Sequence, residues 1–271
     1  MAEQLGVLTA YRRMLVAQLR SQTQYRTSFV VDLVLNALIA ALELIAMVAV
    51  FRVTPQLGGF PFRQALVITA LTQLAFYTAD LCVGNLERLP FYLRTGLLDA
   101  VLLRPLPALG QLVVADASPR RLGRVLETGA VYGVALRFAP IDWTPAKVGL
   151  AVLAPAAGAV LYGAIFVAGS AAMFWLVDAG EVVNAFTYGG RTFASYPMPV
   201  YGAWFRRALG YGLGLAAVGY LPTLALLGRA DPLGLPGWLA WCGLPLAATA
   251  WVGAATLAWR WGLRHYEGAG S

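Results

Sequence analysis

Apolar residues in this chain fall into blocks of about 20 with few charges inside them, the length a helix needs to cross roughly 30 Å of hydrocarbon. The blocks predict spans over 29–51, 65–83, 122–138, 148–177 and 238–261. A further span belongs to 178–236, and two readings of it stay open. Either 182–199 crosses and 203–227 folds back as a re-entrant element, or 178–207 is a loop and 209–227 crosses. Hydropathy and the Arg206–Arg207 pair favour the second. Both give about six spans. Segments of about ten residues alternating apolar and polar, the mark of a membrane β-barrel, do not occur.

Two stretches outside the blocks have helical patterns of their own. Residues 3–26 carry Leu5, Leu8, Leu15 and Leu19 at helical spacing with Arg12, Arg13 and Arg20 between them, which predicts an amphipathic helix in the membrane interface. The connection 84–121 is the most charged part of the chain, with Arg88, Arg94, Arg104, Arg120 and Arg121 against Glu87, Asp99 and Asp116. Its middle, Gly96 to Pro105, has apolar pairs three to four residues apart and ends in a helix-stopping proline. It predicts a short amphipathic helix on the cytoplasmic face.

Composition fits this picture. Of 271 residues 59% are apolar and 12% charged, against a charged fraction of about 25% in soluble domains. The fold class is an all-α polytopic membrane protein, read as one domain over 1–271, with no repeat of fixed period. The net charge of +7, from 19 arginines and one lysine against 13 acids, sits mostly in the N-terminal arm, the 84–121 connection and the tail. Positive charge gathers on the cytoplasmic side, so both termini are expected there. No basic run alternates with aromatics on a polar face, which argues against nucleic acid. Cys82 and Cys242 lie in separate apolar blocks as small hydrophobes. The first apolar run starts too late and runs too long for a cleaved signal, so the first span is expected to stay.

The candidate chemistry is sparse. A nucleotide-hydrolysing phosphate loop needs a lysine after a glycine-rich turn and a following Ser or Thr. The single lysine, Lys147, stands between Ala146 and Val148 without such a loop. The single histidine, His265, lies close to the end of the sequence, which removes two-histidine zinc motifs and leaves little room for a catalytic triad. No catalytic, cofactor-binding or metal residue is expected. Acids inside apolar blocks carry more weight, because a charge in hydrocarbon is costly. Asp32, Glu43, Asp80 and Glu127 qualify, and Glu43 is the deep one. They read either as an ion or proton path or as partners for backbone groups and arginines near span ends. Gly210 and Gly214, four apart, with Gly158, Gly163 and Gly169, allow close helix packing. Tyr77, Phe166, Phe174 and Trp175 are cavity candidates, and Trp238, Trp241, Trp259 and Trp261 read as interfacial anchors.

The order of parts is that of a known family. An interfacial helix, two spans, the charged Gly96–Pro105 helix, further spans, the proline-bracketed element Tyr196 to Trp204 and a last span resemble the permease subunits of type-2 ATP-binding-cassette exporters. A bacterial branch, with stretches like Gly96–Pro105 and Tyr196–Pro222, is the nearest likeness. The resemblance implies a separate ATPase subunit that binds ATP, and a coupling helix over roughly Arg88–Leu103 within a coupling region 88–116. The coupling residues would be Arg88, Arg94, Gly96, Asp99, Leu102, Arg104 and Pro105, with Asp178 and Glu181 as a second contact. It implies the re-entrant reading of 203–227, marked by Pro197, Pro199, Trp204 and Pro222, with Arg206 and Arg207 facing outward. It also implies a second permease, identical or paired, in a bacterial inner membrane, with alternating access between the halves. The competing expectation is an ion- or proton-coupled secondary transporter that works without an ATPase; a third is a scaffold or accessory subunit.

Overall fold

In hydrocarbon the backbone has no water to bond, so each long apolar run closes its own hydrogen bonds as a helix. The computed structural model describes residues 26–115, 120–176 and 180–266. The helix predicted over 3–26, apart from Arg26, lies outside them, as do Asp116, Asp178 and the side chains of Asp32 and Arg120.

Helix α1 (Arg26–Val53) and helix α2 (Phe62–Val83) are joined by a two-strand hairpin, β1 (Gln56–Leu57) and β2 (Phe60–Pro61). A 3-10 turn, Gly84–Arg88, leads into α3 (Leu89–Arg94), α4 (Leu97–Leu102) and α5 (Ala108–Ala115). Then come α6 (Arg120–Phe138), α7 (Pro145–Ala172) and α8 (Gly180–Ala194). A bent pair follows, α9 (Ala203–Gly212) and α10 (Leu215–Leu227), and α11 (Gly237–His265) closes the order.

Among the described residues four helices are long and apolar enough to cross a membrane: α1, α2 with its continuation to Arg94, α7 and α11. The bent pair makes a fifth if counted as one span. Helices α6 and α8, which occupy the expected spans 122–138 and 182–199, fall below that measure of length and apolarity for a physical reason in each case. Arg121, Arg124, Glu127 and Arg137 interrupt the apolar run of α6. Helix α8 has 15 residues, about 22 Å of rise.

Helix α2 is the centre of the bundle, with α6 on one side, α7 on the other and α11 packed on α7. Phe76 is fully buried at its middle and meets Tyr162 and Tyr188 edge-on with centroids 5.3 Å apart, and Phe166 at 5.5 Å. Helix α1 is peripheral. It touches the rest mainly through α6, and Val34, Leu38, Leu42 and Ile45 remain more than half exposed.

The 195–228 segment is discontinuous, and side chains from α2 hold it. A helix end leaves its last carbonyls without partners. At the end of α8, Thr72 Oγ1 donates to Ala194 O (3.1 Å), Thr69 Oγ1 to Ser195 O (2.8 Å), and Tyr201 OH to Phe193 O (2.8 Å). Thr72 lies about 15 Å along the roughly 33 Å of α2, so α8 stops near mid-bundle. The chain then runs through buried Pro197 and past Pro199, whose Cβ sits 3.2 Å from where a Cβ on Gly58 would stand. Trp204 is exposed, and Arg206–Gly212 winds as a π-helical turn. At the apex Trp251 Nε1 donates to Leu213 O (2.7 Å), and Gly214 takes a positive φ of 74° with Ala247 close against it. Gly210 faces Met198, where an added Cβ would come within 2.9 Å of Sδ. Helix α10 leaves the apex at 72° to α9. Pro222 sits in the first turn of its α-helical part, Tyr220–Leu227, where the missing N–H costs nothing.

Both ends of this segment return to the same hairpin. Val200 packs on Gly58 at one end, and at the other Arg229 stacks 4.4 Å from the Phe60 ring and donates to Gln64 Oε1 (2.9 Å). A straight helix over 209–227, which hydropathy favours, is therefore not what forms. The reason is close packing: a Cβ on Gly219 would fall 2.7 Å from Ile68 O, and one on Gly158 3.1 Å from Val218.

Replacing Thr72 by Val keeps the shape and removes the donor to Ala194 O. A buried carbonyl left without its partner costs about 1–3 kcal/mol, so the melting temperature of the detergent-purified protein should drop. Thr192→Val, at an exposed threonine that bonds only within α8, should leave it unchanged. Equal melting temperatures for the two variants would refute the role given to Thr72.

Candidate functional site

Two places concentrate polar side chains. The first is the tip formed by α3, α4 and α5. It has its own small core: Leu86, Leu89, Leu93, Leu98, Val101 and Leu112 pack with Met173 and Trp259. Side-chain amides pin it, with Asn85 Nδ2 donating to Val113 O (2.9 Å) and Gln111 Nε2 to Val101 O (3.0 Å) and Leu106 O (2.9 Å). The single helix expected over Arg88–Leu103 is instead two short ones. Gly96, at φ 70°, turns the chain between them, and Arg104–Pro105 lies just past the end of α4. Core residues point inward from both helices, which leaves a mixed outer face. Phe91, Leu97, Leu102 and Leu103 are exposed on it, Leu103 by 87%, among exposed Arg88, Arg94, Arg104 and Pro105 and half-buried Asp99. The Arg88 guanidinium lies 5.7 Å from the Phe91 ring. Glu181, exposed at the start of α8, is brought to the same end, since a Cβ on neighbouring Gly180 would stand 3.7 Å from Pro90.

The second is a polar cavity enclosed by α1, α2, α6 and α8. Glu43, the deep acid expected from sequence, accepts from Gln73 Nε2 (2.8 Å) and stands 3.8 Å from Arg191 Nη2. Arg191 Nη1 donates to Tyr77 OH (2.6 Å), and its guanidinium lies 5.4 Å from both the Phe76 and Tyr77 rings. The Arg124 guanidinium also lies 5.5 Å from the Tyr77 ring, and its Nε donates to Asn36 Oδ1 (2.8 Å). Glu127 and Thr128 complete the lining. The space divides into two adjoining parts of about 270 and 180 Å³ that share Glu43, Gln73, Glu127, Thr128 and Arg191.

The structure separates the acids singled out from sequence. Glu43 and Glu127 line the cavity. Asp80 is buried at the other end of α2, 3.4 Å from Arg121 Nη1, and that same Nη1 donates to Asp80 O (2.7 Å). It thus ties the start of α6 to the end of α2. Of the aromatic candidates Tyr77 reaches the cavity; Phe166 packs on Phe76, Phe174 on Trp259 and Trp175 on Trp261. Arg124, Arg191 and Gln73 were not anticipated. Their signal was present, since an arginine inside a predicted apolar span needs an internal partner as much as an acid does.

Comparison with known proteins gives the family. The model for the ABC-2 family of transporter proteins matches residues 37–270. No curated protein and no solved structure matches the chain. The match takes in every described helix except the start of α1, including the tip, the cavity and the bent pair. The chain is a multi-pass transmembrane permease of the ABC-2 transporter family.

Proposed function

We propose that this chain is the membrane subunit of an ATP-binding-cassette exporter in a bacterial inner membrane, working with a separate ATPase subunit on which ATP is bound and hydrolysed. The observation that carries the reading is the α3–α4 tip: a separately cored element whose outer face is apolar and basic at once. Exposed leucines beside arginines are what an interface core with a charged rim looks like before its partner arrives. Leu102 and Leu103 supply apolar contact, Arg88, Arg94, Arg104 and Asp99 give register, and Gly96 and Pro105 bound the helix that presents them. Glu181, with Asp178 just before it in sequence, adds the second contact. This end then faces the cytoplasm, as do both termini.

The path follows from the same placement. The weakly packed α1 and the short α8 flank the polar cavity, and their open sides await a second permease, identical or paired, so that a route forms between two copies within the lipid. The bent pair α9–α10 is a re-entrant element entering from the outer side, because its two ends share the β1–β2 hairpin. Irregular backbone at this depth is tolerated where protein buries it or a cavity is lined by it. Closure of the ATPase subunits would move the tips together and switch the packing to an outward-open state. The ion-coupled alternative has less support, because the deep acid Glu43 is held by Gln73 and Arg191.

Two experiments test this. The tagged full-length chain, extracted gently from its native host, should bring down an ATPase subunit carrying a phosphate-binding loop. Leu103→Glu in the apolar centre of this face, and the charge reversals Asp99→Arg and Arg104→Glu at its rim, should reduce its recovery about tenfold or more. Full recovery with all three would remove the coupling role from the tip. For topology, single cysteines at Val200 and Ala230, in a chain with Cys82 and Cys242 replaced by alanine, should both react with an impermeant thiol reagent from outside intact cells. A cysteine at Arg94 should not. Labelling of only one of the first two would mean that the bent pair crosses the membrane.

A further inference from the structure

The polar cavity is a built site in which the charges are only partly bonded to one another. It holds two cations, Arg124 and Arg191, and two anions, Glu43 and Glu127, so its lining is neutral in sum. Arg124 and Glu43 have found partners in Asn36 and Gln73. The other two have not been saturated. Arg191 Nε is buried with no hydrogen-bond partner, and its Nη2 is 3.8 Å from Glu43, too far for a hydrogen bond. Glu127 has neither a hydrogen bond nor an ion pair among the described residues. Charged groups inside a membrane protein are retained at a cost, and they normally face a partner or a pathway.

We infer that this cavity binds an amphipathic zwitterion, a molecule with a primary amine and an acidic group on an apolar body. The acidic group meets the Arg191 guanidinium at Nη2, which stands 3.8 Å from Glu43, and the amine meets Glu127 and the open side of Glu43. A simple anion would sit against two carboxylates and a simple cation against two guanidiniums, and in a site of low dielectric each like-charge contact is penalised. The apolar body has a place as well. Towards the hairpin end the cavity is walled by Leu44, Met47, Leu66 and Val131, with Thr69 and Ser195 beyond. Its α1 wall is thin, because that helix is packed mainly on α6, so entry from the bilayer passes between α1 and α8. The amine-bearing zwitterion could come from two sources, a membrane phospholipid headgroup or a water-soluble peptide-like amphiphile. This inference rests on the reading of the chain as a transporter whose route runs along α1 and α8.

Calorimetry on the full-length chain in a nonionic detergent tests it with short probes. These are dihexanoyl phosphatidylethanolamine and trileucine as zwitterions, dihexanoyl phosphatidylglycerol as an anion, and hexylammonium as a cation. At least one zwitterion should bind about tenfold more tightly than the anion and the cation, the difference expected for one charged hydrogen bond gained or lost. The lipid or the tripeptide, whichever binds, names the source. Arg191→Gln and Glu127→Gln should each weaken that binding about tenfold, Arg191→Lys should recover part of it, and Arg260→Gln, on the exposed side of α11, should leave it unchanged. Equal affinity for all four probes overturns the inference, as does wild-type affinity in both Gln variants. If Arg191→Gln fails to fold, Glu127→Gln decides alone, because it breaks no hydrogen bond or ion pair among the described residues. None of these measurements uses an ATPase. A zwitterion bound without any copurifying ATPase therefore sinks the coupling reading and spares the site, and the converse sinks the site alone.

Discussion

The architecture depends on supplying hydrogen bonds to backbone that stops being helical in the middle of the bundle. Helix α8 ends level with Thr72, and the chain from there to Gly219 contains a π-helical turn, an apex glycine at positive φ and two prolines. In water such irregularity is cheap. In hydrocarbon every orphaned carbonyl carries a penalty of several kcal/mol, so the segment is possible only where other helices hand it donors. Thr69 and Thr72 do so from α2, Tyr201 from within the segment, and Trp251 from α11. The donors stand on three separate elements, so the segment is fixed only once the bundle has assembled.

The same demand explains why small residues collect where they do. Threonine hydroxyls are short, and they reach a neighbouring carbonyl only if the two backbones approach closely. Gly219 brings α10 to within contact of the Ile68 carbonyl and of Thr72, and Gly158 lets α7 meet Ala75 and Val218. Without a hydrophobic drive between helices in lipid, such close contact and the bonds it permits supply the association. Aromatic packing around Phe76 then fills the space between α2, α7 and α8, and it gives Arg191 a π-face as well as a carboxylate. The charge at the cavity is thereby carried by the same cluster that packs the core.

Most of the helices were legible because a run of about 20 apolar residues has one stable form in hydrocarbon. Helices α1, α2, α7 and α11 stand where the blocks at 29–51, 65–83, 148–177 and 238–261 lie. What composition could not distinguish is a straight apolar helix from a folded one. Residues 209–227 are apolar enough to cross, and their bend is decided by Gly214, by the π-helical turn and by contacts with Ile68 and Thr72 that are distant in sequence. The tip was legible in its charge and in its stop at Pro105, while the break at Gly96 was hidden because the periodicity continues across it. At the cavity the carboxylate Glu43 stood out by its depth. Arginine in a membrane protein ordinarily marks span ends, so Arg124 and Arg191 do not stand out in that way, whereas both are held inside by Asn36, Tyr77 and Glu43.

The two polar places are joined by one mechanical element. Helix α2 carries Gln73 and Tyr77 at the cavity and passes without an intervening loop through the 3-10 turn Gly84–Arg88 into α3 of the tip. Asp80, between them, is clamped to Arg121 at the start of α6, the helix that brings Arg124 and Glu127 to the cavity. A displacement of the tip is thus delivered to α2 and α6 together, on whose relative position the cavity's charges depend. Helix α8 enters the same linkage at its own start, where Gly180 lies against Pro90, and at its far end delivers Arg191. Because packed helices shift between discrete arrangements rather than deform, a push at α3 has three stiff routes to the cavity. The α1 wall, lightly packed, is the side left to yield.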